Sequence, residues 1–184
     1  MHLALEDIQG EDLKRVCIKA KKTARGLDEW APSDLALLSD KAFGWIARML
    51  SRIEQGAEWP AGMTQAKAAF LVKDPKKLGD PYAYRVLLIL SAIYRRWASL
   101  RLRQMSAWVG KWAEPEMFAG VQGRGAQDAW YATAIDLEEA FLMGEPVTGG
   151  PVDIYKCFDQ VVRPVLYRVA EKAGMPSNVL KAYE

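Results

Sequence analysis

Cysteine and histidine are scarce in this chain, and that scarcity narrows its chemistry. The two cysteines, Cys17 and Cys157, lie far apart with no CxxC spacing, and His2 is the single histidine. A zinc site of the usual Cys/His kind is therefore not expected. Widely spaced thiols suit a reducing compartment, although two cysteines can still pair. Long apolar runs are missing as well. The longest, Val86 to Ile93, is bracketed by Arg85 and Arg95, far too short to cross a bilayer, so no membrane partner is expected. The opening Met1-His2-Leu3-Ala4-Leu5-Glu6-Asp7 has no basic segment leading into an apolar one and does not read as a signal peptide. The expected location is intracellular, cytoplasmic or nuclear. Net charge is only +2 over 184 residues, which by itself argues weakly for a nucleic-acid partner. No internal repeat or low-complexity segment is visible.

What is present is the balance of a globular protein, 51% hydrophobic and 26% charged, with room for one ordinary domain and a substantial core. Residues 11–25 carry Lys14, Arg15, Lys19, Lys21, Lys22 and Arg25, with helical apolar spacing at Leu13, Val16 and Ala20. Pro32-Ser33-Asp34 predicts the start of a strong helix, with Ser33 as the cap and Asp34 at the positive end of the dipole. Leu35, Leu38, Ala42, Trp45, Ile46, Met49 and Ile53 follow at three- and four-residue steps, predicting one buried face before Gly56.

Residues 66–72 predict a short strand that turns at Lys73-Asp74-Pro75. From Tyr84 the pattern is strand-like and becomes helical near Ser91. There Ile93, Trp97, Leu100 and Trp108 share one stripe, and Arg95, Arg96 and Arg103 fall on another face. Glycines at 120, 123 and 125 mark a loop before a helix from Ala126 to Met143, whose buried face is predicted to carry Trp130, Ala134, Leu137 and Phe141. Val152 to Tyr155 predicts a short strand. A helix from Pro164 to Ala173 should end with Gly174 in the favoured position past its last turn. Ser177 reads as a new helix cap seven residues before the last residue, the pattern of a chain cut short.

Several of these segments carry a resemblance. Val152-Asp153-Ile154-Tyr155-Lys156-Cys157-Phe158-Asp159 resembles the first palm motif of reverse transcriptases, an Asp at a strand end followed by x-x-Lys-x-Phe-Asp. Phe70-Leu71-Val72-Lys73-Asp74-Pro75 is similar to the family's fingers motif, and Tyr84-Arg85-Val86-Leu87-Leu88 to its Tyr-Arg-Pro-Ile segment, with Val86 where proline is usual. Ile93-Tyr94-Arg95-Arg96-Trp97, the loop Gly120 to Gly125, and Val169-Ala170 with Gly174-Met175-Pro176 follow in the family's order. Ala24-Arg25-Gly26-Leu27-Asp28-Glu29-Trp30 resembles the Ala-x-Gly-x-Asp-Gly element of non-LTR-type retroelement enzymes. The resemblance spans residues 20–184.

It implies an α+β fold, mostly helical, with a small antiparallel sheet: the fingers and partial palm of a right-hand polymerase. Residues 1–60 would be the N-terminal helical region of the fingers, 61–148 the fingers, and 149–184 the first palm segment, truncated. The implied activity is RNA-directed DNA polymerisation, with an RNA template, a DNA primer and deoxynucleoside triphosphates as partners and Mg²⁺ (Mn²⁺ possible) as cofactor. Two such ions clamp the attacking 3′-oxygen and the leaving pyrophosphate, and Mg²⁺ takes hard oxygen ligands. By resemblance Asp153 is the catalytic carboxylate and metal ligand, and the carbonyl of Ile154 a second contact. Lys73 and Arg85 meet the triphosphate, and Phe158 packs against the sugar. The residues alone also allow surface charge at Lys73 and Arg85, core packing at Phe158, a structural Asp159, and a solvated face for Arg95, Arg96 and Arg103.

One family element is missing. No adjacent Asp-Asp pair, the usual second carboxylate element, occurs among these 184 residues, so this stretch alone is expected not to polymerise. The alternatives are a non-catalytic nucleic-acid-binding module and a helical interaction module, the latter in keeping with seven tryptophans.

Overall fold

A computed structural model describes residues 3–19, 23–155 and 157–184. Helices dominate, with one antiparallel two-stranded sheet among the described residues, in agreement with a mostly helical α+β chain. The chain divides into two compact units, Ala4–Gln104 with Ser177–Glu184, and Met1–Leu3 with Met105–Pro176.

The first unit opens with α1 (Gly10–Ile18), which buries Leu13, Val16 and Cys17. The expected continuation through Ala20, Lys21 and Lys22 lies outside the described residues. Gly10 lets α1 lie close to the next long helix, since a Cβ there would stand 3.0 Å from the backbone nitrogen of Gly44.

The single helix expected from Pro32 is in fact two, α2 (Pro32–Leu35) and α3 (Asp40–Glu54). Proline at a first turn sacrifices no hydrogen bond, and the Asp34 carboxylate reaches back to accept the Ala31 N–H at 3.0 Å. Ser39 is then extended, and its hydroxyl accepts the Ala42 N–H at 3.3 Å. Ser39, not Ser33, is the cap that starts the long helix. The new start resets the helical phase. Phe43, Ala47, Leu50 and Ile53 are buried while Trp45 is 56% exposed, its ring lying under the Lys41 ammonium at 5.2 Å.

After α4 (Ala61–Thr64) come β1 (Lys67–Val72) and β2 (Tyr84–Ile89), paired from Lys67 with Ile89 to Val72 with Tyr84. Two 3₁₀ turns, Pro75–Lys77 and Pro81–Ala83, connect them. Asp74 and Asp80 open these turns by accepting the N–H groups of Lys76 at 3.0 Å and Tyr82 at 2.8 Å, the usual work of a short acidic side chain before proline. Strands, turn and helix onset all lie where the periodicity places them.

Helix α5 (Ala92–Trp112) follows. Its first N–H, at Ala92, is satisfied by the Asp28 carboxylate at 2.9 Å. Trp97, Leu100 and Arg101 are buried on it. The unit is completed by α8 (Ser177–Tyr183), which buries Val179, Leu180 and Ala182. Trp59 donates its ring N–H to the Ala182 carbonyl at 2.8 Å. The Trp97 ring lies 4.8 Å from Tyr183 and 5.2 Å from Trp59.

In the second unit, Trp108 of α5 donates to the Ala173 carbonyl at 2.8 Å. Helix α6 (Ala126–Met143) starts with the Asp128 carboxylate accepting the Gly125 N–H at 2.7 Å and ends at left-handed Gly144. Its expected buried face is not buried. Trp130 is 76% and Phe141 84% exposed, and α6 has no buried residue. The apolar stripe is real, but among the described residues no element of its own unit covers it. Helix α7 (Arg163–Lys172) ends as expected, with Gly174 at φ 82° and the Met175 N–H returning to the Ala170 carbonyl at 3.0 Å.

The strand expected at residues 152–155 does not form. A strand is stabilised by a ladder partner, and no neighbouring backbone pairs with this segment among the described residues. It stays exposed, Val152 at 91%.

Candidate functional site

The two cations proposed to meet a triphosphate lie at the turn end of the β1–β2 ribbon. Leu71 pairs with Arg85, so their side chains share a face of the ribbon. Lys73 lies in a bend just past the end of β1, its N–H donating to the Ala83 carbonyl at 2.7 Å. Lys73 and Arg85 are both exposed, and the ribbon exposes large apolar residues on both faces, Phe70, Val86 and Leu88 on one and Leu71 and Leu87 on the other.

The motif residues around Asp28 hold the junction of this ribbon with α5. A Cβ on Gly26 would stand 2.8 Å from the Leu90 carbonyl oxygen, so only glycine lets the two backbones approach this closely. Arg25 donates to the Glu29 carbonyl at 2.5 Å and pairs with Asp34 at 3.0 Å. Glu29 takes a left-handed φ of 56°, a conformation non-glycine residues seldom adopt. The segment that resembles the Ala-x-Gly-x-Asp-Gly element thus acts here as a brace at the base of the ribbon.

In the second unit Asp153, Ile154 and Phe158 lie on one exposed segment. Phe158 is 93% exposed, so it has no core-packing role. It sits in a 3₁₀ turn, Cys157–Gln160, and the Gln160 side chain donates to the Tyr155 carbonyl. Lys156 of the motif lies outside the described residues. Among the described residues no three His, Cys, Asp or Glu side chains converge as metal ligands. Asp153 and the Ile154 carbonyl are hard oxygen donors, right in kind for Mg²⁺, but one carboxylate is too few for a two-ion site. The residues present do not complete it.

The glycine-rich loop is closed on itself. Arg124 donates to the carbonyls of Glu114, Pro115 and Met117, while Gly120 and Gly123 take positive φ. Its cation is therefore engaged by backbone and does not stand open for phosphate.

Sequence reasoning missed the most buried polar group among the described residues. Glu54 and Arg101 form a buried ion pair. The Arg101 Nε donates to Glu54 Oε1 at 2.7 Å, and a second guanidinium N–H meets Oε2. Trp97 donates to Oε1 at 2.7 Å and Asn178 to Oε2 at 3.3 Å. The signal was available: Glu54 continues the stripe of Phe43, Ala47 and Leu50, and Arg101 follows Trp97 by four residues on its stripe. Two opposite charges on two buried faces point to each other.

Arg95 also departs from a solvated face. Its guanidinium donates to the Thr23 hydroxyl at 3.0 Å and the Ala24 carbonyl at 2.8 Å. Burial pushes the Cys17 thiol up to about 11, with Arg96 nearby acting the other way. Comparison with protein families, curated proteins and solved structures found no match to this chain.

Proposed function

We propose that this chain is the fingers and first palm segment of an RNA-directed DNA polymerase of the non-LTR retroelement type. The observation that carries the reading is the presence of two exposed cations at the turn end of a two-stranded ribbon, Arg85 on β2 opposite Leu71 and Lys73 just past the end of β1. Two cations so placed suit the oxygens of a triphosphate, and the planar fork of Arg85 can hold two of them at once. The order of the other segments supports the same reading, and so does the brace of Gly26 and Asp28 at the base of the ribbon.

In this reading Lys73 and Arg85 bind and orient the incoming deoxynucleoside triphosphate and offset charge developing on its phosphates. Phe158, open on its turn, is available to pack against the sugar and discriminate against a 2′-hydroxyl. Asp153 and the Ile154 carbonyl would be oxygen ligands of a Mg²⁺ (or Mn²⁺) site, and such ions would supply charge stabilisation for nucleotidyl transfer.

Steady-state primer extension by the product of the complete natural gene tests this assignment. Arg85→Ala is expected to raise the KM for deoxynucleotide at least tenfold while primer–template affinity stays unchanged. An unchanged KM in both Arg85→Ala and Lys73→Ala would remove the ribbon from triphosphate binding.

A further inference from the structure

The second half of α3 forms one wall of an open cleft of about 400 Å³. The other wall exists because the chain doubles back after the helix. Gly56 takes a positive φ of 107°. Its N–H returns to the Ile53 carbonyl at 2.9 Å and the Ala57 N–H to the Arg52 carbonyl at 3.0 Å, the two-bond glycine stop of a helix. Residues 57–60 then face α3 across the cleft. Trp59 fixes this segment through its ring N–H, which donates to the Ala182 carbonyl at 2.8 Å.

Met49, Ile53 and Pro60 give the cleft apolar lining, together with the exposed ring of Trp45. Arg48 and Arg52 line it as well and are exposed, as is Glu58. Among the described residues none of these three charged side chains makes an ion pair or a hydrogen bond. Lys41, over the Trp45 ring at 5.2 Å, adds a third positive charge on the same stripe of α3. The larger groove between α1 and α3 differs, because its cations are already matched, Lys14 by Asp40 at 2.6 Å and Arg15 by Asp12 at 3.2 Å.

Apolar lining takes an apolar side chain, and guanidinium forks hold carboxylates at two points. Arg48 and Arg52 are separated by about 6 Å along the helix axis. In an extended peptide the two neighbours of a residue stand about 6–7 Å apart, with the central side chain pointing the opposite way. A carboxylate on each side of one apolar residue therefore matches the two arginines while the apolar side chain enters the cleft. Glu58 favours a peptide over a polyphosphate. Its carboxylate repels a phosphodiester strand and can accept a peptide N–H, a donor that such a strand lacks.

We propose that the cleft between α3 and residues 57–60 binds an acidic peptide segment with one apolar side chain between two carboxylates, a function independent of the polymerase reading.

The test titrates the isotope-labelled 184-residue chain with the peptide acetyl-Gly-Asp-Phe-Asp-Gly-amide, followed by NMR. Saturable shifts are expected in α3 and residues 57–60, with a Kd of about 1 mM or tighter. The same peptide with Asn for both Asp residues is expected to bind about tenfold more weakly, and so is the original peptide to Arg48→Gln/Arg52→Gln. Arg48→Lys/Arg52→Lys keeps the charge without the planar fork and should bind with intermediate affinity. Arg168→Gln/Lys172→Gln removes the same charge at the same spacing from exposed positions on α7 and should leave binding unchanged. Absence of saturable shifts at millimolar peptide would overturn the proposal, as would equal affinity for the Asn peptide or equal losses in the α3 and α7 double-Gln variants. So would shifts in α3 produced by a single-stranded RNA oligomer or by phosphatidylserine vesicles but not by the peptide, which would mark a nucleic-acid or membrane surface. Primer extension tests the polymerase reading separately, so either can fail alone.

Discussion

Glu54 and Arg101 form a buried, two-point ion pair that ties α3 to α5, and the same carboxylate accepts from Trp97 and from Asn178 of α8. The Arg101 guanidinium also donates to the Glu6 carbonyl at 3.0 Å and to the Gln104 side chain at 2.7 Å. One polar centre therefore gathers the start of the unit, its two long helices and its last helix. Taking two charges out of water is costly, and the cost is recovered only while every partner is present. Glu54→Ala or Arg101→Ala should destabilise the chain by about 3–5 kcal/mol, read as a lowered urea midpoint. Replacing both with apolar residues of similar volume should cost much less than the sum of the single changes.

The return of α8 rests on the Trp59 ring N–H and the Asn178–Glu54 hydrogen bond as well as on apolar burial. Trp59→Phe keeps most of the ring and removes the bond to the Ala182 carbonyl, leaving that oxygen to find water. The expected loss is about 1 kcal/mol, measured by denaturant unfolding. A loss above about 3 kcal/mol would show that the ring shape, rather than the hydrogen bond, holds α8 in place.

Gly26→Ala should destabilise by about 1–3 kcal/mol, because the Leu90 carbonyl it would strike is backbone and cannot swing aside. Asp28→Ala should cost about 1 kcal/mol through the lost cap of α5. Both are read from thermal unfolding. If both are silent, the motif that contains them has no bracing role.

The two thiols should differ sharply. Cys157 is exposed and Cys17 buried, so a thiol reagent at pH 8 is expected to titrate one group in the native chain and two after denaturation. Cys17 also sets a pH dependence. Its folded pKa, about 11, stands above its ordinary 9.0, so the folded state disfavours the thiolate. Its contribution to stability is complete below pH 9 and is lost as pH rises towards 11. Tyr183, pushed up to about 12 from 10.0 by burial and by Tyr94, extends the same loss from pH 10 to 12. Cys17→Ala should remove the lower part of that decline.

Local signals made the ribbon, its Asp-Pro turns, α5 and the glycine stop after α7 legible in the sequence, because each depends on residues within a turn or two of one another. The break between α2 and α3 was hidden because Leu35, Leu38 and Ala42 continue a helical rhythm across it, and the decision lay in one hydroxyl, that of Ser39. Period also cannot say what covers an apolar face. Trp130, Leu137 and Phe141 form the stripe that was expected, and they are exposed. The Glu54–Arg101 pair was obscured by the habit of placing charge on the surface. Among the candidate site residues, Arg85 falls on β2 and Lys73 just past the end of β1, where the strand and turn signals put them. The strand expected to carry Asp153 did not follow, since a strand depends on a partner that local pattern does not reveal.

Primer extension on an RNA template by the product of the complete natural gene, compared with its Asp153→Ala variant, tests the central assignment most directly. The expected result is deoxynucleotide incorporation with Mg²⁺ or Mn²⁺ that falls at least a thousandfold in Asp153→Ala, with the circular dichroism of the two proteins unchanged. No incorporation by the wild-type protein, or equal incorporation by the variant, would contradict the polymerase reading.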